Sequence, residues 1–346
     1  MKRTTMICLL WLGISLPAAA QVLLEHSPQN FDLFGSDEPL KIELEFDIKQ
    51  LIKQKYKDEY QPANIRIFFG DTAYIAREIR VKARGNLRRR VCFLPPLKLN
   101  FKKTTFGNPQ MDQLKSLKMV SVCKPSKSYE QYVLQEYKIY KIYNLLTPMS
   151  FRVRLLDITF LDSRGKQKPQ HNYGFIIEDI DDVAARNNCI ELEQSRLHPH
   201  ETNRQLAALV YVFQYMIGNT DFELSNLHNL KLIRSKDPLD YAPYIIPYDF
   251  DYSGLVNANY AVPHESLGIE SVRERLYRGY CQPDSVMNRV FELFNEKKAD
   301  IMGLYEHCPY LSKTNRVYSL RYLEDFYTII NSPFLVKREI TDVCRN

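Results

Sequence analysis

The chain has 346 residues, with 47 Lys and Arg against 41 Asp and Glu, a formal net charge of +6. That length accommodates one large domain or two lobes. The basic residues are dispersed except for Arg84, Arg88, Arg89 and Arg90, which argues against nucleic acid as a partner and leaves open a phosphate-bearing ligand near that cluster.

Residues 1–20 open with Lys2 and Arg3, continue through a short apolar run, and end on Ala18, Ala19 and Ala20. This is the order of a secretory signal peptide, with cleavage expected after Ala20. The run falls short of the ~18–20 apolar residues needed to span a bilayer. A product exported to the periplasm or the exterior, with no membrane span after cleavage, is therefore expected. Removing Lys2 and Arg3 leaves 45 basic residues against 41 acidic ones, a net charge near +4.

In the rest of the chain, alternation of apolar and polar residues predicts strands at 40–51 (around IELEFDI), 65–69, 79–83, 97–101 and 117–122. A helix is expected from Ser128 to about Leu146, with Val133, Tyr137, Tyr140 and Tyr143 near helical spacing and Pro148 past its end. Strands follow at 151–160 and 173–177. Helices are then expected at roughly 181–187, 202–217, 270–279, 284–296 and 317–330, with two short strands at 230–233 and 244–247. The plan is α+β: a β-rich front with one inserted helix, then a helical back half. Six cysteines remain after cleavage, and six allow 15 connectivities. Cys92–Cys123, across neighbouring strands, and Cys281–Cys344 are the expected pairs; buried free thiols are the other reading.

Two short segments concentrate the chemistry. The first, GNTDFELSNLHN, runs from Gly218 to Asn229 at the end of a predicted helix; the second, PYDFDYSG, begins at Pro247 after a strand. Phosphoryl transfer asks for a carboxylate that positions the acceptor hydroxyl, and for a divalent cation held by a second carboxylate and an amide oxygen. Asp221 with Asn226 five residues on, then Asp249 beyond a strand pair, meets that requirement in order and spacing. Such oxygen ligands suit magnesium or manganese. Either motif alone is ordinarily a cap or turn; their joint placement is what points to a site. No G-x-S-x-G elbow and no H-E-x-x-H occurs, and His228 has no evident nucleophile partner.

These motifs resemble the CotH kinase family and, more loosely, HipA-type and secretory-pathway atypical kinases. Arg84-Gly85-Asn86 is similar to the family's RGN element, Leu97-Lys98-Leu99 to its RLKL strand, and Gly174 to Glu178 to the segment crossing between lobes. The resemblance spans about residues 80–255. It implies a two-lobed protein-kinase-like fold, with a β-rich N-lobe over 21–179 and a mainly helical C-lobe over 180–346. It also implies ATP or another nucleotide with Mg or Mn, and a hydroxyl-bearing acceptor on a protein or glycan. Residue by residue, Asp221 would orient or deprotonate the acceptor, and Asp249 would hold the metal. Asn226 or Asn229 would be the second ligand. Lys98 or Lys118, with Lys98 favoured, would neutralise phosphate oxygens, and Glu136 would fix that lysine by an ion pair. Arg84 and Asn86 would approach the phosphates, and Glu178 would lie near the adenine. Phe222 stands where the family often has Trp, and Glu178-Asp179 replaces its Glu-Lys pair. Because ATP is scarce outside the cytoplasm, a non-catalytic kinase-like fold that binds a ligand or scaffolds a partner is the alternative.

Overall fold

The computed structural model describes residues 21–193 and 196–346; the expected signal peptide at 1–20 lies outside the described residues. In chain order the front half contains β1 (Val22–Leu23), β2 (Leu40–Phe46), α1 (Ile48–Gln54), β3 (Gln61–Phe69), β4 (Ala73–Ala83), α2 (Leu87–Val91), β5 (Leu97–Asn100), α3 (Pro109–Asp112), β6 (Ser116–Val120), α4 (Lys127–Leu146), β7 (Val153–Asp162) and β8 (Gln170–Ile177). The back half contains α5 (Ile180–Arg186), β9 (Cys189–Glu191), α6 (Arg204–Ile217), β10 (Leu230–Ser235), β11 (Tyr244–Pro247), α7 (Asp284–Glu296), α8 (Lys298–Glu306), α9 (Lys313–Ile330) and α10 (Pro333–Val336). The α+β expectation holds. Two predicted elements do not. The strand expected over 40–51 stops at Phe46, because the Asp47 carboxylate accepts from the Gln50 amide at 2.8 Å and caps α1 instead. The helix expected over 270–279 is a turn followed by chain without regular structure; Arg275 and Arg278 reach out to neighbouring carbonyls rather than lining a helix face.

The strands of the front half run in the order β4-β3-β2-β7-β8-β6-β5, and β5 pairs back onto β4, so the sheet closes into a seven-stranded barrel with β1 appended to β4. Among the seven, β2 and β7 are parallel and the other neighbours antiparallel. The alternation sends Ile42, Leu44, Ile65, Ile67, Val81, Leu97, Leu99, Met119, Leu156 and Ile158 into the barrel core. The expectation of a kinase-type two-lobed arrangement did not include this closure. On β6, β7 and β8 the outward residues Val120, Leu155, Phe175 and Ile177 are buried as well. They belong to a second core with α4 and the back-half helices. Helix α4 is therefore buried on more than one side, with Tyr137, Tyr140 and Tyr143 all at most 2% exposed.

Disulfides join Cys92 to Cys123 and Cys281 to Cys344, the two pairings expected from the sequence, and Cys189 and Cys308 are buried free thiols. Cys92 and Cys123 lie just past α2 and β6, rather than on the strands themselves. Among the described residues no helix is long and apolar enough to cross a membrane.

Close approach at Gly174 explains why β8 carries glycine there. A Cβ at this position would meet the Val120 carbonyl oxygen at 2.7 Å and Ile158 Cδ1 at 2.5 Å. Gly174→Ala is expected to cost roughly 1–3 kcal/mol through overpacking. In urea unfolding this would appear as a lower midpoint with an unchanged slope.

Candidate active site

Helix α6 ends at Gly218, which takes φ +64 as its left-handed C-cap; a side chain there would run into the Tyr322 hydroxyl. The chain then turns into an irregular loop. Asn219 is buried, its Nδ2 donates to Gln214 Oε1 at 2.9 Å, and its Oδ1 accepts from the Asp221 amide at 3.1 Å. Asp221 is thus placed by a cap rather than by a strand or helix. Its Oδ1 lies 3.0 Å from His228 Nε2, and its Oδ2 accepts from Asn229 Nδ2 at 3.0 Å. The same Nδ2 also donates to the Asp221 carbonyl at 2.7 Å.

The β10–β11 hairpin supplies the second half of the site. Leu230 pairs with Pro247 at its open end, and the Tyr248 amide donates to the Asn229 carbonyl at 3.0 Å. Antiparallel pairing therefore returns Asp249 to the neighbourhood of Asn229 and Asp221. The Asp249 amide donates to the Tyr140 hydroxyl of α4 at 3.0 Å. Leu227, Asn229 and Asp249 have φ of +55, +54 and +64. Three non-glycine residues in the left-handed region within one site represent stored strain of roughly 1–3 kcal/mol each, of the kind that clusters at functional sites.

From the barrel side, the loop after β4 and helix α2 lean over these groups. Arg84, Gly85, Asn86, Arg88, Asp221, His228, Asn229, Tyr248, Asp249, Asp251 and Tyr252 line one pocket of about 350 Å³. At its floor lies the buried Arg88 guanidinium. Its Nε donates to Asp251 Oδ2 at 2.6 Å, its Nη2 donates to Glu136 Oε2 at 2.6 Å, and Nη2 lies 3.7 Å from Asp249 Oδ1. One cation thus serves three carboxylates. Burial alone would lower the Arg88 pKa, but Asp251 and Glu136 hold it firmly protonated. The carboxylates absorb the imbalance. Burial, then the neighbouring acids, pushes Glu136 upward against the opposing Arg88. Burial and then Asp251 raise Asp249 in the same way. Among the described residues, Glu136 Oε1 has no hydrogen-bond partner.

The expected residues divide as follows. Asp221, Asn229, Asp249, Arg84 and Asn86 share the pocket. Asn226 does not: it is exposed, and its Oδ1 accepts from the His228 amide at 3.1 Å within its own turn. Lys98 and Lys118 stand opposite each other on β5 and β6, yet only Lys118 reaches the site. Its Nζ lies 5.0 Å from the Tyr248 ring centroid and 5.9 Å from that of Phe151. Burial, then Arg84 and Lys231, lower its pKa to about 8. Lys98 instead acts on exposed Asp58, whose carboxyl is held low first by its Lys82 hydrogen bond. Glu136 pairs with Arg88 of α2 and not with a lysine. Glu178 is not a ligand-facing group: it is 1% exposed, and its oxygens accept from Arg152 at 2.9 Å and Arg186 at 3.1 Å. Sequence reasoning missed Arg88, Asp251 and His228 as site members. Their signal was adjacency to the motifs, which does not reveal direction.

Among the described residues, no group of three or more His, Cys, Asp and Glu side chains forms a ready-made metal cage. A magnesium-type site does not require one, since that ion is held by one or two carboxylates together with waters and substrate phosphates. Asp249 and Asn229, which share the pocket, are the carboxylate and amide that such an ion would use.

No family model matches the chain, and no curated protein matches it. Among solved structures, the proinflammatory kinase CtkA of Helicobacter pylori is similar over 72% of this chain and 92% of its own, at 12% identity and a TM-score of 0.37. So loose a superposition carries no argument about fold or activity.

The depressed Lys118 pKa has a testable sign. Between pH 8 and the ordinary lysine value of 10.5 the unfolded chain binds the extra proton, so stability rises with pH across that window. Lys118→Met is expected to exceed the parent in stability at pH 7, by up to ~3 kcal/mol. Paired denaturant titrations should show that advantage shrinking through the window.

Proposed function

We propose that this protein is an exported, CotH-like atypical kinase that transfers a phosphoryl group from a nucleotide to a hydroxyl acceptor with the help of magnesium or manganese. The observation that carries the reading is the convergence of Asp221, Asn229 and Asp249 in one pocket beneath Arg84 and Asn86. These come from three separate stretches of chain. Helix end, hairpin and β4 loop each deliver the group that phosphoryl transfer asks of it.

In this reading Asp221 accepts the proton of the acceptor hydroxyl, and Asn229 and His228 hold its carboxylate in place. Asp249 and Asn229 hold the cation, which supplies charge neutralisation at the transferred phosphoryl group when bound. Lys118 and Arg84 add positive charge at the phosphate oxygens. A second pocket, lined by Leu192, Leu227, Leu230 and Leu232 together with Glu191, Glu193 and Lys231, meets the first at Tyr248. The two disulfides support an oxidising compartment. The two-lobed description, with its boundary near residue 179, belongs to this proposal, and the barrel would take the place of the N-lobe sheet. Replacement of a lysine by Arg88 as the Glu136 partner favours the alternative, a kinase-like fold that binds without catalysing.

The test compares the mature chain, residues 21–346, with Asp249→Asn and Asp221→Ala. ATP with Mg or Mn at 100 times its dissociation constant adds about 2.7 kcal/mol to folded-state stability. A metal-dependent rise in Tm is expected in the parent, lost in Asp249→Asn and kept in Asp221→Ala. Phosphate transfer to a generic Ser/Thr substrate or to the chain itself should drop ~100-fold or more in Asp221→Ala. A Tm rise without any transfer would select the non-catalytic reading, and the absence of both would end the proposal.

A further inference from the structure

The irregular loop that carries Asp221, His228 and Asn229 lacks a helix or sheet of its own, so something else must hold it. Its internal brace is a small bridge: the Glu223 amide donates to the His228 carbonyl at 3.2 Å, and the His228 amide returns a bond to the Glu223 carbonyl at 2.9 Å. The Glu223 side chain faces the opposite way, into two guanidiniums. Arg278 Nη2 donates to Oε2 at 3.1 Å, while its Nη1 donates to the carbonyls of Thr220 and Phe222, the latter at 2.7 Å. Arg345 Nη1 reaches Oε2 at 3.0 Å and Oε1 at 3.3 Å, and its Nη2 donates to the Tyr280 hydroxyl at 3.0 Å.

Arg345 is itself fastened. Its amide donates to the Gly279 carbonyl at 2.9 Å, its carbonyl accepts from the Cys281 amide at 2.8 Å, and the adjacent Cys344 is disulfide-bonded to Cys281. Burial alone would raise the Glu223 carboxyl, yet the Arg345 hydrogen bond, the Ser225 amide and both guanidiniums hold it below its ordinary value. The group is therefore anionic and gripped, rather than merely packed.

We propose that Arg278 and Arg345, locked together by the Cys281–Cys344 disulfide, form a positioning clamp that acts through Glu223 to hold Asp221 and His228 in their working geometry. The inference rests on the phosphotransferase reading for its catalytic consequence but not for its structural one. Fixing an irregular loop costs conformational entropy, and an error of ~1 Å in a catalytic group costs about 100-fold in rate. Two charge-assisted forks and a covalent loop closure hold the loop without touching the pocket.

The test uses the full mature chain with Arg345→Ala, Arg345→Lys and the double variant Cys281→Ser/Cys344→Ser. With ATP and magnesium, kcat is expected to fall at least ~10-fold in Arg345→Ala while KM for ATP changes less than about two-fold, because Arg84, Lys118 and Asp249 are untouched. Arg345→Lys should recover part of the loss, since it keeps the charge without the fork, and the double Ser variant should fall in the same direction. Hydrogen exchange read alongside should speed up over residues 221–229, with the barrel strands unchanged. A kcat in Arg345→Ala equal to the parent's would overturn the clamp. So would losses in kcat and in global Tm that the lysine does not restore, which indicate a structural role only. Should Arg345→Ala fail to fold, the Lys and double Ser variants carry the same comparison. Should the parent prove inactive, the phosphotransferase reading falls, and exchange over 221–229 alone decides the clamp: faster in the variants upholds it, unchanged rejects it.

Discussion

Everything around the pocket hangs from the Arg88 guanidinium. It sits on a five-residue helix, a length that does not persist in water without tertiary support. Its partners, Glu136 and Asp251, lie 48 and 163 positions away in the chain. One side chain therefore joins the barrel-side loop, the buried helix α4 and the segment after β11. A buried ion pair of this kind adds little net stability compared with apolar packing, but removal of one member leaves a buried charge stranded, at a cost of ~3–5 kcal/mol. The Cys92–Cys123 disulfide at the end of α2 reinforces the same junction covalently.

One buried guanidinium among three carboxylates, helped at Asp249 by Arg84, also sets the electrical character of the site. Water cannot screen the imbalance at the buried Glu136, so its carboxyl is driven toward the neutral form, and Asp249 shifts in the same direction. Asp249 differs in being half-exposed at the pocket mouth. There Arg84 adds to the partial compensation that Arg88 provides. Strained backbone at Asn229 and Asp249 tells the same story: geometry at these positions is maintained against local preference by the hairpin, the Asn219 cap and the Tyr140 contact.

Closure of the front half into a barrel gives these groups a stiff platform. Its interior is filled by side chains, so the ligand-sized space lies outside, where the β4 loop and β6 meet the back half. Parts of β6, β7 and β8 are buried on both faces, as at Met119-Val120, Val153 to Leu156 and Gly174 to Ile177, whereas β2 alternates along its length.

Much of this was legible from the sequence alone. Period-two and helical spacing located most strands and helices, because those patterns report directly which face meets a core. The two disulfide pairings were also read correctly, and the two motifs landed at a helix end and a hairpin as their capping and strand residues dictate. What periodicity cannot carry is the identity of a side chain's distant neighbour. Lys98 and Lys118 face each other across one ladder on the same outer face, so pattern treats them as equals; the aromatic wall of Tyr248 and Phe151 draws only Lys118 to the site. Asn226 has the expected offset from Asp221, but the left-handed turn at Leu227 and Asn229 spends Asn226 on its own backbone and turns Asn229 inward. Glu136 and Glu178 could be recognised as acids on buried elements, but not their partners: Arg88 meets Glu136 only through the tertiary packing of α2 on α4, and Arg152 meets Glu178 across the β7–β8 hairpin, with Arg186 eight residues on. Local chain stereochemistry determined the elements; long-range burial of charge decided which residues share the pocket.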